Sequence, residues 1–427
     1  MILGGGTGGT LAANRLRRIY DLDEAEIVVV DRDGDHVYQP GLLFVPFGRG
    51  DMGHIVRPRQ RQLHSGVSFR QAGVDHVDVA ADRVYLDDGT VLGYDVLVIA
   101  TGARLLPGET DGLTGPGWMR DIFTFYTPDG AVALHRALER FSGGRLVVNV
   151  IDMPIKCPVA PLEFCFLADY YFRQRGIRDR VDLTYVTPLD GAFTKPVCNQ
   201  ELSGLLAEKD INLVTEFNTG TVAAGAIKAG TGEPSSAGRL ISYDERVVPF
   251  DLAVVIPLHG GAAYVEHSPG LGDELGFIPV DPGTLQATAK PNVFALGDAT
   301  DVPTSKAGSV AHFEGDVLVG NVRRFLDGQP LTAAFDGHTN CFIETGFGKA
   351  LLIDFNYDTE PLTGHYPTRL GLPLLRQSRL NHLGKLAFQQ FYWHSLLPGR
   401  DIPGISSAMP TRGKNLPLDQ ATISGHR

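Results

Sequence analysis

Cysteine offers this sequence its most versatile chemistry, and it occurs four times, at Cys157, Cys165, Cys198 and Cys341. Cys157 stands in "DMPIKCPVAP", between an apolar β-branched run, "LVVNVI", and an amphipathic run, "PLEFCFLADYYFRQR". That order reads as strand, turn and helix, the place where a nucleotide-binding chain sets a glycine-rich phosphate loop. Here the turn holds no glycine. Pro154, Pro158 and Pro161 fix their own φ and lack amide hydrogens, so a pyrophosphate finds no backbone nest. The helix terminus keeps its partial positive charge and Lys156 adds a full one. Both lower a thiol pKa and stabilise a thiolate or persulfide anion. The expectation is an activated thiol in a turn laid out like a phosphate cradle, with a buried core thiol as the competing reading.

Electron exchange through sulfur needs a second sulfur. Cys165 lies about 12 Å further along the same helix by rise, beyond the disulfide reach of about 7 Å between Cα atoms. In "PLEFCFLADYY" it reads as helix packing. Cys198, in "TKPVCNQEL", falls near a helix start with nothing beside it to activate it. Cys341, in "HTNCFIETGFGKALLIDFNY", opens a strand pair and is the better partner. Phe342 and Phe347 in that pair are candidates to stack on a planar ring, with core packing as the alternative. Glu163 at the helix start and His259 in "IPLHGG" are candidate proton acceptors. Dipole complementation and simple packing compete for them.

Stepping outward from the sulfur, three stretches suit a dinucleotide. "GGGTGGTLAANRL" supplies G-x-G-x-x-G as Gly4, Gly6 and Gly9 at a helix start, for a tight turn and close approach of the backbone to pyrophosphate. The next strand, "AEIVVVD", ends in Asp31, placed to take a ribose hydroxyl. "YDVLVIATGARLLP" ends a strand at Thr101-Gly102, and "NVFALGDAT" ends another at Gly297-Asp298. Both resemble the second and third fingerprints of flavoproteins with two dinucleotide domains. The resemblance implies FAD, with Asp298 on its ribityl or phosphate end and Lys306 also facing the cofactor. The helix "GSVAHFEGDVLVGNVRRFL" would point its positive terminus at the flavin.

The bulk numbers set the frame. A chain of 427 residues suits two or three domains. A formal charge of -11 argues against a nucleic-acid binder. Four cysteines are too few for a disulfide scaffold. No signal peptide and no run of about 20 apolar residues is visible. "MIL" before the first glycine loop is short for a strand, as if a residue or two had been trimmed. From His365 onward eight Lys/Arg face two Asp, a net of +6, which leaves about -17 on the rest of the chain. A cationic, aromatic tail on an acidic body reads as an interfacial anchor, against packing or a dimer interface.

The chain resembles sulfide:quinone oxidoreductases of the flavin disulfide reductase superfamily, in the two-cysteine branch. The likeness rests on the FAD fingerprints, "HVYQPGLLFVPFG", "PIKCPVAPLEF", "CFIETG" and "GKLAFQQFYWHSLLPG". It implies that Cys157 and Cys341 are the redox pair, Glu163 the active-site glutamate and Lys385 the lysine near quinone and flavin. No cysteine precedes Cys157, so FAD is expected to be noncovalent. The implied reaction oxidises sulfide to sulfane sulfur or polysulfide and passes electrons through FAD to ubiquinone or menaquinone. The flavin subunit of a sulfide-oxidising flavocytochrome c, a type II NADH:quinone dehydrogenase and a flavin-bound redox sensor are the alternatives.

The expected fold is α/β, with two Rossmann-like dinucleotide-binding domains and a C-terminal membrane-associating segment. FAD-binding parts are placed at 1–105 and 271–330, the second Rossmann-like domain at 106–270, and the quinone end at 331–427. No metal site is assigned. The cytoplasmic face of the membrane is the default location, and a homo-oligomer is left open.

Overall fold

The computed structural model describes residues 1–225, 236–400 and 406–416. Asp401, Asp419 and Arg427, counted in the tail charge, lie outside the described residues. The chain begins with strand β1 (Ile2–Leu3), helix α1 (Thr7–Ile19), and strands β2 (Val28–Asp31), β3 (Ser68–Gln71) and β4 (Leu97–Ile99). Then come β5 (Ile122–Phe123), α2 (Pro128–Arg140), β6 (Gly144–Val150), α3 (Ala160–Gln174), β7 (Val181–Val186), α4 (Pro196–Glu208), β8 (Asn212–Val214) and β9 (Leu252–Ile256). Strand β10 (Val293–Ala295) leads to α5 (Gly308–Leu326), a hairpin of β11 (Thr339–Gly346) and β12 (Lys349–Phe355), and α6 (Arg379–Phe391).

Two parallel five-stranded sheets dominate. The first has the order β10-β4-β1-β2-β3 and the second β5-β9-β6-β7-β8. In each sheet one strand is central, and the turn after it opens a helix: β1 into α1, and β6 into α3. Ligands of such sheets bind outside the carboxyl ends of the strands where strand order reverses. The glycine loop and the Cys157 turn therefore occupy equivalent positions in two different sheets.

Local sequence explains both central strands. β6 is "GRLVVNV", and its Leu146 to Val150 are all buried, as a strand covered on both faces requires. β1 is only two residues long, but it pairs with β2 and β4 on both sides, and the Met1 amine donates to Val96 O at 2.8 Å. Helix α3 is buried from Ala160 through Asp169, so it is a core helix, apolar almost all round. Phe164, Phe166 and Phe172 on it are fully buried, each contributing about 1.5–3 kcal/mol.

The β11–β12 hairpin packs on α3 and α6, so the last third of the chain closes over the Cys157 turn. Asp354, fully buried on β12, accepts from His338 Nε2 at 2.8 Å and Asn340 Nδ2 at 3.0 Å and pairs with Lys414. Helix α6 carries Leu380, Leu383 and Leu386 exposed on its outer face, and Leu370 nearby is 99% exposed. Among the described residues no helix is long and apolar enough to cross a membrane.

Candidate active site

The first cradle is tight where its glycines stand. A Cβ on Gly9 would fall 1.8 Å from Gly4 O, and one on Gly4, at φ +91°, would fall 2.4 Å from Ala100 O. A Cβ on Gly6, by contrast, would meet nothing within 4 Å. The loop is thus sealed against its own protein and open on the other side, as close approach by a phosphate group requires. Asp31 Oδ2 accepts from Gly5 N at 2.7 Å and lies 3.3 Å from Arg59 Nη1. At the neighbouring strand end Gly102 has φ +68°, with open space where a Cβ would be, and the Thr101 hydroxyl is 3.4 Å from Tyr264. Gly297 N donates to the buried Glu314, and the Lys306 ammonium donates to Asp298 O at 3.1 Å and Thr300 O at 2.7 Å. Lys306 therefore holds the Asp298 turn in place through its carbonyls.

The second cradle is built differently. Cys157 has φ +49°, a left-handed backbone that costs a non-glycine residue about 1–3 kcal/mol. Three hydrogen bonds hold it there. Cys157 N donates to Lys306 O at 2.6 Å, while Cys157 O accepts from Tyr126 Oη at 3.2 Å and Ala160 N at 2.9 Å. The Cys157 turn is thereby pinned to Lys306, in the segment that follows β10 of the first sheet.

Cys341 on β11 meets the same spot from the other side. Both cysteines are free, partly buried thiols, and Cys341 helps to raise the Cys157 pKa. Both are coupled to one buried ion pair: the Lys385 ammonium of α6 donates to Glu163 Oε1 of α3. Glu163 Oε1 also accepts from Glu344 N of β11 at 2.7 Å. One carboxylate thus ties together three elements that are distant in sequence. Burial pushes the Glu163 carboxyl up, and Lys385 opposes that without cancelling it. Burial pulls the Lys385 ammonium down, but Glu163 and Glu344 more than reverse this and hold it above its ordinary value.

The thiols depart from expectation. Burial first, then Glu163 and Cys341, push Cys157 well above the ordinary thiol range, and burial with Glu163 pushes Cys341 up to about 12. The cation that draws both back down is Lys385. The Lys156 ammonium donates to Gln39 Oε1 at 3.4 Å and Tyr126 O at 3.5 Å; burial lowers its pKa and Cys157 works against that, so it too feels the sulfur. The sequence pointed to the adjacent lysine. Folding supplies one 228 positions away, because the cost of an enclosed anion is met only by a charge enclosed with it.

Other candidates sort cleanly. Cys165 and Cys198 are fully buried in the apolar core. Phe342 packs beside Leu352, Tyr366 and Leu374. Phe347 sits at the hairpin tip against Tyr170 with ring centroids 4.6 Å apart, about 20 Å along the strand from Cys341 by rise, so it does not stack at the cysteines. His259 Nδ1 lies 2.9 Å from Pro257 O, and burial, with Lys156, lowers its pKa to about 3. It is a neutral ring, which fits packing better than proton uptake.

Arg59, His36, Tyr392, Glu344 and His382 escaped the sequence reading. Arg59 covers Asp31, and His36 links the glycine loop to the far end of the chain. Burial, with Arg59, drives the His36 pKa to about 3, so the ring is neutral. With Gly5 O 3.1 Å from Nδ1, that nitrogen carries the hydrogen and Nε2 accepts from Tyr392 Oη at 2.6 Å. Tyr392 is also 2.8 Å from the Thr7 hydroxyl. Glu344 pairs with His382 beside Lys385, Nδ1 to Oε1 being 2.9 Å. "CFIETG" and "LNHLGKL" hold both residues, but only the spacing of His382 and Lys385, three apart on one helix, hinted at a shared face.

The family described as pyridine nucleotide–disulphide oxidoreductase matches residues 1–148, which hold the first cradle. Along most of its length the chain is similar to sulfide:quinone oxidoreductases. It is 27% identical over 405 residues to the mitochondrial sulfide:quinone oxidoreductase of Dictyostelium discoideum, covering 94% of this chain and 86% of that protein. With the mitochondrial sulfide:quinone oxidoreductase of Mus musculus it shares 26% over 403 residues, 93% of this chain and 86% of that one. The crystal structure of the sulfide:quinone oxidoreductase from Aquifex aeolicus superposes with a TM-score of 0.78 at 19% identity, covering 93% and 91% of the two chains. Two of these relatives are mitochondrial by name, which lends the cytoplasmic default no support.

Proposed function

We propose that this protein oxidises sulfide to sulfane sulfur or polysulfide with a Cys157–Cys341 pair and delivers the electrons through FAD to a membrane quinone. The observation that carries this reading is the convergence of the two thiols on one enclosed Glu163–Lys385 pair. The similarity to sulfide:quinone oxidoreductases over more than nine-tenths of the chain supports it.

The glycine loop fits FAD, because its open side is where a Cβ on Gly6 would find no protein. Gly4, Gly6, Gly9, Thr101, Gly102, Gly297 and Asp298 would hold the cofactor without a covalent bond, Asp31 would take its ribose, and Lys306 would brace the Asp298 turn. Bound there, FAD supplies a two-electron sink for sulfur and a two-electron source for quinone. In the oxidised pair, HS⁻ attacks one cysteine sulfur; the S–S bond breaks, leaving a persulfide on that cysteine and a thiolate on the other. Lys385 meets the thiolate charge, since it is the cation that stabilises both sulfurs. Glu163, raised by burial, is placed to exchange a proton with Lys385.

For the quinone end, Leu380, Leu383 and Leu386 form an exposed apolar stripe on α6, whose inner face carries Lys385. That stripe suits the surface of a bilayer. Ubiquinone or menaquinone would enter along it.

Anaerobic stopped-flow absorbance tests the reading. Sulfide should bleach the flavin, NADH should not, and a soluble ubiquinone or menaquinone analogue should restore the colour. NADH bleaching would favour the dehydrogenase alternative, and failure of quinone to re-oxidise would favour the sensor. Replacing Leu380, Leu383 and Leu386 by serine should abolish sedimentation with anionic liposomes; unchanged sedimentation removes the stripe as the anchor.

A further inference from the structure

Quinone reduction consumes two protons with its two electrons, whereas HS⁻ releases one proton in becoming sulfane sulfur. Each turnover therefore draws at least one proton from solvent into a site whose polar groups are enclosed. Glu163 is 2% and Lys385 10% exposed at the side chain. Neither presents more than about a tenth of its side chain to water.

One ionisable pair adjoins them and leads outward. Glu344 is 1% exposed, and its carboxylate receives His382 Nδ1 at 2.9 Å from one oxygen and 3.0 Å from the other. The His382 ring is 20% exposed, the most open of the four groups. Glu344 is joined to the inner pair through its own backbone, since its amide donates to Glu163 Oε1 at 2.7 Å. On α6, His382 and Lys385 are three residues apart, which puts their Cβ atoms about 5–6 Å from each other on one face. Lys385 is held charged by Glu344 as well as by Glu163. Other titratable groups coupled to this spot are Cys157 beside α3, Cys341 on β11, Tyr38 and Tyr126; Lys349 on β12 and Arg376 and Arg379 before and on α6 are exposed.

We propose that His382 and Glu344 are the proton inlet of this site, passing protons from solvent to the Lys385–Glu163 pair. The inference rests on the quinone-reducing reading above. In each cycle Lys385 gives a proton to the quinone oxygen, Glu344 restores it, and His382 restores Glu344 from water. No electron moves along this path. Both residues act through Lys385 and are positioned groups of a relay; neither touches the sulfur.

His382→Ala, His382→Gln and Glu344→Gln test it, the two glutamine variants keeping side-chain bulk. Flavin reduction by sulfide and flavin re-oxidation by a soluble quinone are followed separately in stopped flow. Re-oxidation should slow by about 10–100-fold in each variant, while reduction by sulfide changes far less. Added imidazole should recover re-oxidation in His382→Ala. Equal slowing of both half-reactions, or no imidazole rescue, assigns the pair a structural role and overturns the inlet. If the unaltered protein is not re-oxidised by quinone at all, the functional reading fails and the inlet fails with it.

Discussion

The two cradles of this chain share one plan and do different things. Each lies after the central strand of a parallel five-stranded sheet, and each opens a helix. In the first, Gly4, Gly6 and Gly9 let the backbone close on itself to within contact and leave its outer side open. In the second, prolines stiffen the turn and Cys157 occupies a left-handed backbone position, pinned to Lys306 O. The difference teaches that the strand–turn–helix frame fixes a location and a dipole, while the turn residues decide what is received there. Glycine gives a phosphate nest; proline and cysteine give a fixed sulfur.

Experiments can break or sharpen that comparison. Cys157→Ser should have the largest effect, lowering sulfide-driven flavin reduction by at least about 10³-fold while leaving flavin content intact. Residual reduction near the unaltered rate would show that the second cradle does not work through sulfur. Gly9→Ala should act on the first cradle alone. Its Cβ would lie 1.8 Å from Gly4 O, so flavin is lost on purification and stability falls by about 1–3 kcal/mol. A fully flavinated Gly9→Ala protein would contradict the close-approach argument.

Lys385→Met probes the charge that serves the second cradle. Removing one partner of a buried pair should destabilise by about 3–5 kcal/mol near neutral pH. The sign of its pH dependence follows from Glu163, whose folded pKa is raised above the ordinary 4.5. With Lys385 gone, only the Glu344 amide opposes that rise, and the folded state keeps a proton that the unfolded chain has released. Stability of the variant should therefore fall as pH rises from about 5 to 8. A melting temperature flat across that range would show that Glu163 is not enclosed. The smallest effect belongs to Cys198→Ala, which should leave sulfide-driven reduction within about twofold, since that thiol is core.

Much of this was legible locally. β6, the turn and α3 follow from the β-branched run, the proline cluster and the amphipathic stretch, and the glycine loop announces its own turn. What local reading left incomplete was charge. Lys156 is adjacent to Cys157 and is coupled to it, while its ammonium donates to Gln39 and Tyr126. Lys385, on α6, is the cation that draws on both sulfurs. Phe347 was misplaced for a related reason: strand alternation tells which face a ring is on, but not how far the hairpin tip lies from the site.

Sequence by itself determined the two strand–turn–helix units, the identity of the groups at each turn and the set of sulfurs available. Those are short-range matters, governed by backbone sterics and side-chain chemistry within about ten residues. Only the tertiary structure decided that Cys341, Glu163, Glu344, His382 and Lys385 gather at the Cys157 turn. Their electrostatics depend on enclosure, and enclosure exists only once α3, the β11–β12 hairpin and α6 have packed together and excluded water.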